Sequence, residues 1–252
     1  MILTCYTYTR NLLSLIINSM KAIFIDVDNT LLDFDEYVRQ TLENGFREFD
    51  IIKYEPYMYD IFSSINDELW HKIETKELDF ETLKKIRFNL IFDKLSVKYD
   101  GIAFEKYFRE QLNESVIEID GALELLKELS SDYILCAASN GPHMQQVHRL
   151  TKAGMANYFS YIFVSERLGA SKPSKQFYDA AFKELNNNRN NPIIPSECLA
   201  IGDSITSDIA GGCNYGMKTC YYNHRSKPVN DSRIDLYANN LLDIPKLITQ
   251  LA

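Results

Sequence analysis

The chain has little of what marks secreted, membrane-spanning or nucleic-acid-binding proteins. Its 252 residues include five cysteines, four histidines and one tryptophan. Cys5, Cys136, Cys198, Cys213 and Cys220 are scattered and form no C-x-x-C pair. That excludes a disulfide framework and a thiolate metal site, and an odd set of isolated thiols fits a reducing cytoplasm. His143 and His148 are off the i+3 or i+4 spacing of one helix face, so no histidine ligand pattern is present. No apolar run approaches the roughly 20 residues that span a bilayer. The run NLLSLIIN near the amino terminus resembles a signal h-region, yet no small-x-small cleavage site follows it. Met20 stands directly before an apolar strand, so residues 1–19 are expected to be an extension outside the core. Positive charge is also scarce: 27 Lys and Arg against 35 Asp and Glu leave a net charge of −8. A nucleic-acid surface needs a basic stripe, which this balance argues against.

What the sequence does have is a series of short, nearly continuous apolar runs rich in β-branched and aromatic residues. These are KAIFIDV (21–27), YILCAAS (133–139), YIFVSE (161–166), CLAIGD (198–203) and KTCYYN (218–223). Continuous rather than alternating hydrophobicity is expected of parallel strands covered on both faces. Helical patterns over roughly 142–153, 174–187 and 208–215 separate the later runs, which predicts an α/β core with a Rossmann-like, doubly wound parallel sheet. From Asp35 to Glu118 the pattern is helical only. Val38, Leu42, Phe46 and Phe49 fall on one helical face, and Ile61, Ile65, Leu69 and Ile73 step by four. The expected organisation is a core of residues 20–34 and 119–252, with residues 35–118 a helical cap domain inserted after the first strand. Such an insert lies over the carboxyl ends of the strands, where open α/β sheets bind ligands.

Polar residues with chemistry cluster at those ends. Asp26 and Asp28 close the first strand, Ser139 and Asn140 the second, Lys172-Pro173 follows the third, and Asp203 closes the fourth with Asp208 five residues on. Two carboxylates about 4 Å apart repel by roughly 4 kcal/mol at an effective dielectric near 20. Three or four acids facing one lysine therefore call for a divalent cation, and a hard ion with oxygen ligands such as Mg²⁺ fits. Asp33 and Asp35 read as solvated turn acids, and Asp208 reads as either a metal-site acid or a helix N-cap. Pro173 is expected at the first position of a helix.

D-x-D-x-T, then Ser, then K-P, then G-D-x-x-x-x-D, in this order, resembles the haloacid dehalogenase superfamily of aspartate-nucleophile phosphatases. SNGPHMQQVHRLTKAGMANYFSYIFVSERLGASKP, IGDSITSDIAGGCNYGMKTCYYN and LWHKIETKELDFETLKKIRF resemble in particular its bacterial house-cleaning pyrimidine 5′-nucleotidases. The resemblance implies a Mg²⁺ enzyme, with Mn²⁺ an alternative ion, acting on a small phosphomonoester such as a nucleoside monophosphate. It implies Asp26 as nucleophile and Asp28 as general acid and base. Asp26, Asp203 and the Asp28 backbone carbonyl are then the metal ligands, with Asp208 in the outer shell. Ser139, Asn140 and Lys172 bind phosphate, with the Asn140 and Gly141 amides aimed at its oxygens. In the cap, Trp70, Lys76 and Arg87 are candidates for reading the leaving group. Each has a plainer alternative: core filling for Trp70, solvated surface for Lys76, and an ion pair with a cap acid for Arg87. A sugar-phosphate phosphatase or phosphomutase, and a non-catalytic phosphometabolite-binding protein, are the competing readings.

Overall fold

A computed structural model describes residues 20–226 and 228–251; the expected extension over residues 1–19 lies outside them. Six strands form one parallel sheet: β1 (Ala22–Ile25), β2 (Ile134–Ser139), β3 (Tyr161–Val164), β4 (Cys198–Gly202), β5 (Lys218–Tyr222) and β6 (Leu236–Ala238). Their order, β3-β2-β1-β4-β5-β6, runs outward in both directions from β1. The five predicted strands are present. The sixth was not predicted, because three residues at a sheet edge are too few to show a period.

Alternation along β1 divides the core in two. Ile23 and Ile25 join one apolar cluster with Leu135, Leu199 and helix α5 (Ala122–Leu129). Ala22 and Phe24 face the other way, against Cys136, Ala200 and the Phe177, Tyr178 and Phe182 side chains of α8 (Lys175–Leu185). Successive strand residues point to opposite faces, so a strand covered twice must be apolar throughout.

Between β1 and β2 the chain forms α1 (Phe34–Glu48), α2 (Tyr57–Glu74), α3 (Phe80–Leu95) and α4 (Gly101–Glu114). Acids cap three of them. Asp33 accepts from Glu36 N at 2.8 Å, Asp79 from Thr82 N at 2.7 Å, and Asp100 from Ile102 N at 2.8 Å. Their side chains satisfy amides that helix starts leave without partners. These helices have a core of their own, dominated by Phe46, Phe62, Phe88, Phe92, Phe104 and Phe108. The buried residues of α2 are Met58, Tyr59, Phe62, Asn66 and Leu69; of the expected row Leu69 is among them, and Ile61 and Ile65 are partly buried against the same core. The fully buried stripe includes Phe62 and Asn66 beside that row, and a polar residue facing inward is invisible to hydrophobic periodicity.

The helical segment joins the sheet through a narrow neck. Leu32 pairs antiparallel with Glu118. Asp33 N donates to Ile117 O at 2.8 Å, and Ile119 N donates to Leu31 O at 3.0 Å. Beyond the neck, α6 (His143–Lys152) and α7 (Ser165–Leu168) flank β3, and a π-helical turn (Ile205–Ile209) leads into α9 (Ala210–Tyr215). The last helix, α10, is Ile244–Ile248. Among the described residues, no helix is long and apolar enough to cross a membrane.

Candidate active site

The sheet order reverses at β1, and a crevice opens where neighbouring connections leave in opposite directions. Asp26 still belongs to the sheet, its amide donating to Ile201 O at 2.9 Å. Its side chain leaves the carboxyl edge and meets Lys172, whose Nζ lies 2.6 Å from Asp26 Oδ1, 2.7 Å from Asp208 Oδ1 and 2.5 Å from Ala138 O. The lysine is thus a buried bridge between two acids. The Lys172–Pro173 peptide is cis, and the helix that follows starts only at Lys175 with Ser174 as its N-cap. Pro173 is therefore not the first helical residue. Asn140 fixes this loop with a reciprocal pair: its Nδ2 donates to Lys172 O at 3.0 Å and its Oδ1 accepts from Lys172 N at 2.8 Å.

Asp208 is not a helix N-cap: it lies within the turn Ile205–Ile209, whose cap is Ser204, and Ile209 precedes α9. It accepts from Ser204 N at 3.1 Å through one oxygen and holds Lys172 with the other. Gly202 makes room for it, since a methyl group there would lie 2.1 Å from Asp208 Oδ2.

Asp26, Asp203 and Asp208 each present an oxygen, all within 4.8 Å of one another. Burial pushes the Asp26 carboxyl up to about 7, with Lys172 pulling it down and Asp208 and Asp28 pushing it up again. Burial, reinforced by Asp26 and Asp208, also holds Asp203 well above the usual carboxylate range. Three converging carboxylates against one ammonium leave excess negative charge, and an oxygen-only donor set suits a hard divalent cation.

Asp28 sits on the other side of Asp26, held by Arg149 Nη1 at 2.6 Å and by Gln146 Nε2 at 2.6 Å. Gln146 Nε2 also donates to Ser139 Oγ at 2.9 Å, as does Gly141 N at 3.0 Å. Both acceptor positions of that hydroxyl are filled, so its own proton is left to donate outward. The Gly141 amide, expected to face a ligand oxygen, is engaged with Ser139 instead. Neither Gln146 nor Arg149 was singled out from the sequence. Their i, i+3 spacing on α6 is the available signal, and polar residues on a helix ordinarily read as its solvent face.

All seven predicted core residues (Asp26, Asp28, Ser139, Asn140, Lys172, Asp203 and Asp208) line one cavity of about 490 Å³ between the sheet edge and the helical segment. Trp70 lines it too, its ring 5.8 Å from that of Phe80. Lys76 does not: it is exposed at the turn after α2 with a left-handed φ of 64°, so it is removed from the leaving-group candidates. Arg87 borders the cavity, but its guanidinium is engaged by Glu105 at 2.7 and 3.0 Å and by Asn66 at 2.9 Å. Asp35 is no solvated acid. It is buried and paired with Arg225, Nε to Oδ2 at 2.8 Å and Nη2 to Oδ1 at 2.9 Å, with Asn29 Nδ2 donating at 3.0 Å. Arg225 follows β5 and also lines the cavity, a contribution for which the sequence offered no signal.

Residues 20–216 match the family described as haloacid dehalogenase-like hydrolase. The chain belongs to this family. Pyrimidine 5′-nucleotidase PynA of Streptococcus pneumoniae is 32% identical over 204 residues, covering 81% of this chain and 84% of that protein. Pyrimidine 5′-nucleotidase YjjG of Escherichia coli is 28% identical over 208 residues, covering 82% of this chain and 88% of the relative. The solved structure of the HAD-hydrolase YfnB of Bacillus subtilis, described as bound to magnesium and showing interdomain movement, superposes with a TM-score of 0.81. It is 28% identical, and the match covers 91% of this chain and 98% of that one. The L-2-haloacid dehalogenase of Xanthobacter autotrophicus shares the fold of this haloacid dehalogenase-like hydrolase, with a TM-score of 0.70 at 16% identity.

Proposed function

We propose that this chain is a Mg²⁺-dependent phosphomonoesterase acting on nucleoside 5′-monophosphates, with pyrimidine nucleotides preferred. The observation that carries the reading is the Asp26 carboxylate. It stands at the head of the cavity beside Lys172, with Asp203 and Asp208 converging on it and a second acid, Asp28, two residues on. The kinship with two pyrimidine 5′-nucleotidases supports the choice of leaving group.

In the first step Asp26 attacks phosphorus. An aspartyl phosphate forms, the P–O bond to the sugar breaks, and Asp28 gives its proton to the departing oxygen. In the second step Asp28 takes a proton from water as that water attacks phosphorus, and the Asp26–phosphate bond breaks. Ser139 and Lys172 hold the equatorial phosphate oxygens, the former through the one proton its surroundings leave free. Asp26, Asp203 and the Asp28 carbonyl would hold Mg²⁺, with Asp208 orienting its outer shell, and the ion would supply charge neutralisation at the phosphoryl group. Helices α1 to α4 serve as the cap over the cavity, keeping bulk water from the acyl phosphate. We place the protein in the cytoplasm: among the described residues Cys136, Cys198, Cys213 and Cys220 are free thiols, as a reducing compartment keeps them.

The test is phosphate release from a panel of nucleoside monophosphates and sugar phosphates, with and without Mg²⁺, for the wild type and Asp26→Asn. Mg²⁺-dependent release led by UMP or dTMP and lost in the variant is the expected result. Release from sugar phosphates alone would remove the nucleotidase, and none from any substrate would remove the enzyme.

A further inference from the structure

Inside the helical segment lies a polar group whose cost the fold has no evident reason to bear. Arg87 and Glu105 form a bidentate ion pair, each at most 5% exposed at the side chain. Aromatic rings surround the guanidinium, that of Phe108 at 4.7 Å and those of Phe62 and Phe88 at 5.7 Å. Desolvating such a pair is expensive, and apolar residues of like volume commonly do as well or better. The pair reaches beyond itself at one point: Arg87 Nη1 donates to Asn66 Oδ1 at 2.9 Å. An arginine has donors only, so the amide oxygen of Asn66 must face it and the NH₂ group must face away. Asn66 is itself buried, on the inward face of α2, and it lines the cavity that contains Asp26. Among the described residues no acceptor meets its Nδ2, nor is that atom a sealed, unsatisfied donor.

We propose that Asn66 is the specificity-determining residue for the leaving group, with Arg87 and Glu105 as the residues that orient it. Its amide is locked as a hydrogen-bond donor into the cavity, where it takes a carbonyl oxygen of the nucleobase. Trp70 and Phe80 supply apolar wall beside it, so the ligand is a flat ring carrying carbonyl acceptors. The inference rests on the nucleotidase reading above. It also gives Arg87 a role that direct contact would not: the arginine acts on the substrate only through the asparagine.

The experiment compares kcat/KM for UMP, whose ring carries two carbonyls, with that for phenyl phosphate, whose ring carries none. Asn66→Asp keeps the shape and the Arg87 contact while replacing the donor by an acceptor. The UMP to phenyl phosphate ratio is expected to fall about 10- to 100-fold, since a carbonyl would then face a carboxylate oxygen. Asn66→Ser, which perturbs the fold differently, should lower the same ratio. A ratio unchanged in an active variant overturns the proposal, because a purely structural role would depress both substrates together. Failure of both variants to fold also overturns it, assigning Asn66 to packing. A wild type inactive on UMP yet active on other phosphomonoesters removes the nucleotidase reading and this inference with it, a result distinct from an active wild type whose ratio does not move.

Discussion

Arg149, only 2% exposed, donates to Asp28 at 2.6 Å across the space that also holds Gln146 and Ser139. The side chain proposed to move protons is thus oriented from a helix 121 residues further along the chain. Arg149→Met leaves Asp28 with Gln146 alone. Turnover should fall roughly 10²-fold, the order expected of a misplaced general acid. Stability should fall by about 1–3 kcal/mol for the lost charged hydrogen bonds. Steady-state kinetics alongside urea unfolding separates the two; full turnover in a destabilised variant would reduce Arg149 to packing.

Gly202→Ala tests the approach of Asp208 to the sheet. The added methyl would come within 2.1 Å of a carboxylate oxygen that cannot withdraw without releasing Lys172 or Ser204 N. Overpacking of this kind costs about 1–3 kcal/mol, and a displaced Asp208 should raise the Mg²⁺ concentration needed for half-maximal activity. A metal titration of the folded variant that matches the wild type would show Asp208 to be irrelevant to the ion.

Crowded acids should make the ion-free protein uneasy at neutral pH. The Asp203 carboxyl is held well above its ordinary range by burial and by Asp26 and Asp208. For an acid whose folded value is raised, stability is lost as pH climbs past the unfolded value. Asp203→Asn removes that loss, so without Mg²⁺ the variant should melt higher than the wild type at pH 7. Added Mg²⁺ should raise the wild-type Tm by mass action and leave the variant unmoved. Thermal melts with Mg²⁺ and with a chelator check both signs, and a variant that melts lower in chelator would contradict the crowding.

Asp35 makes the opposite prediction. Burial would raise its carboxyl, but the Arg225 hydrogen bonds and charge outweigh burial and hold it below its ordinary 3.8. A lowered folded value gives stability that is full above the unfolded value and lost as pH falls through the folded one. Arg225→Ala, which strands a buried acid, should therefore cost about 2 kcal/mol or more at pH 7 and less below pH about 3.8, where Asp35 is protonated in the unfolded chain. Denaturant unfolding at both pH values measures the gap; equal gaps would mean that the arginine acts by packing.

How much of this was readable beforehand follows from the kind of signal each feature leaves. β2 ends in Ser139, and β1 and β4 stop one residue short of Asp26 and Asp203; an apolar run stopping at a polar residue is visible in one dimension. That each run is apolar on both faces implied a covered parallel sheet, but the order β3-β2-β1-β4-β5-β6 is known only from the fold. Gln146 and Arg149 left no such mark, because inward and outward polar residues on an amphipathic helix are spelled alike. Asn66 left none either, since hydrophobic periodicity picks out Ile61, Ile65 and Leu69 on α2 and passes over a polar residue that faces inward. Lys76 attracted notice as a charged residue in a turn, a description that fits most surface lysines. The Asp35–Arg225 pair joins residues 190 positions apart, and only the folded sheet brings them together.

The neck at Leu32 and Glu118 has a consequence for how such a protein can change. The two points where the helical segment departs and returns are paired neighbours, roughly 5 Å apart as antiparallel partners are. Any segment whose own ends lie that close could be spliced there without rerouting a strand, and so could a bare tight turn. The sheet that carries Asp26 and the helices that carry Asn66 are thus joined by the chain only where the two segments of the neck pair, a geometry that would let them be inherited separately. One can be exchanged, lengthened or lost over evolutionary time while the other keeps its geometry.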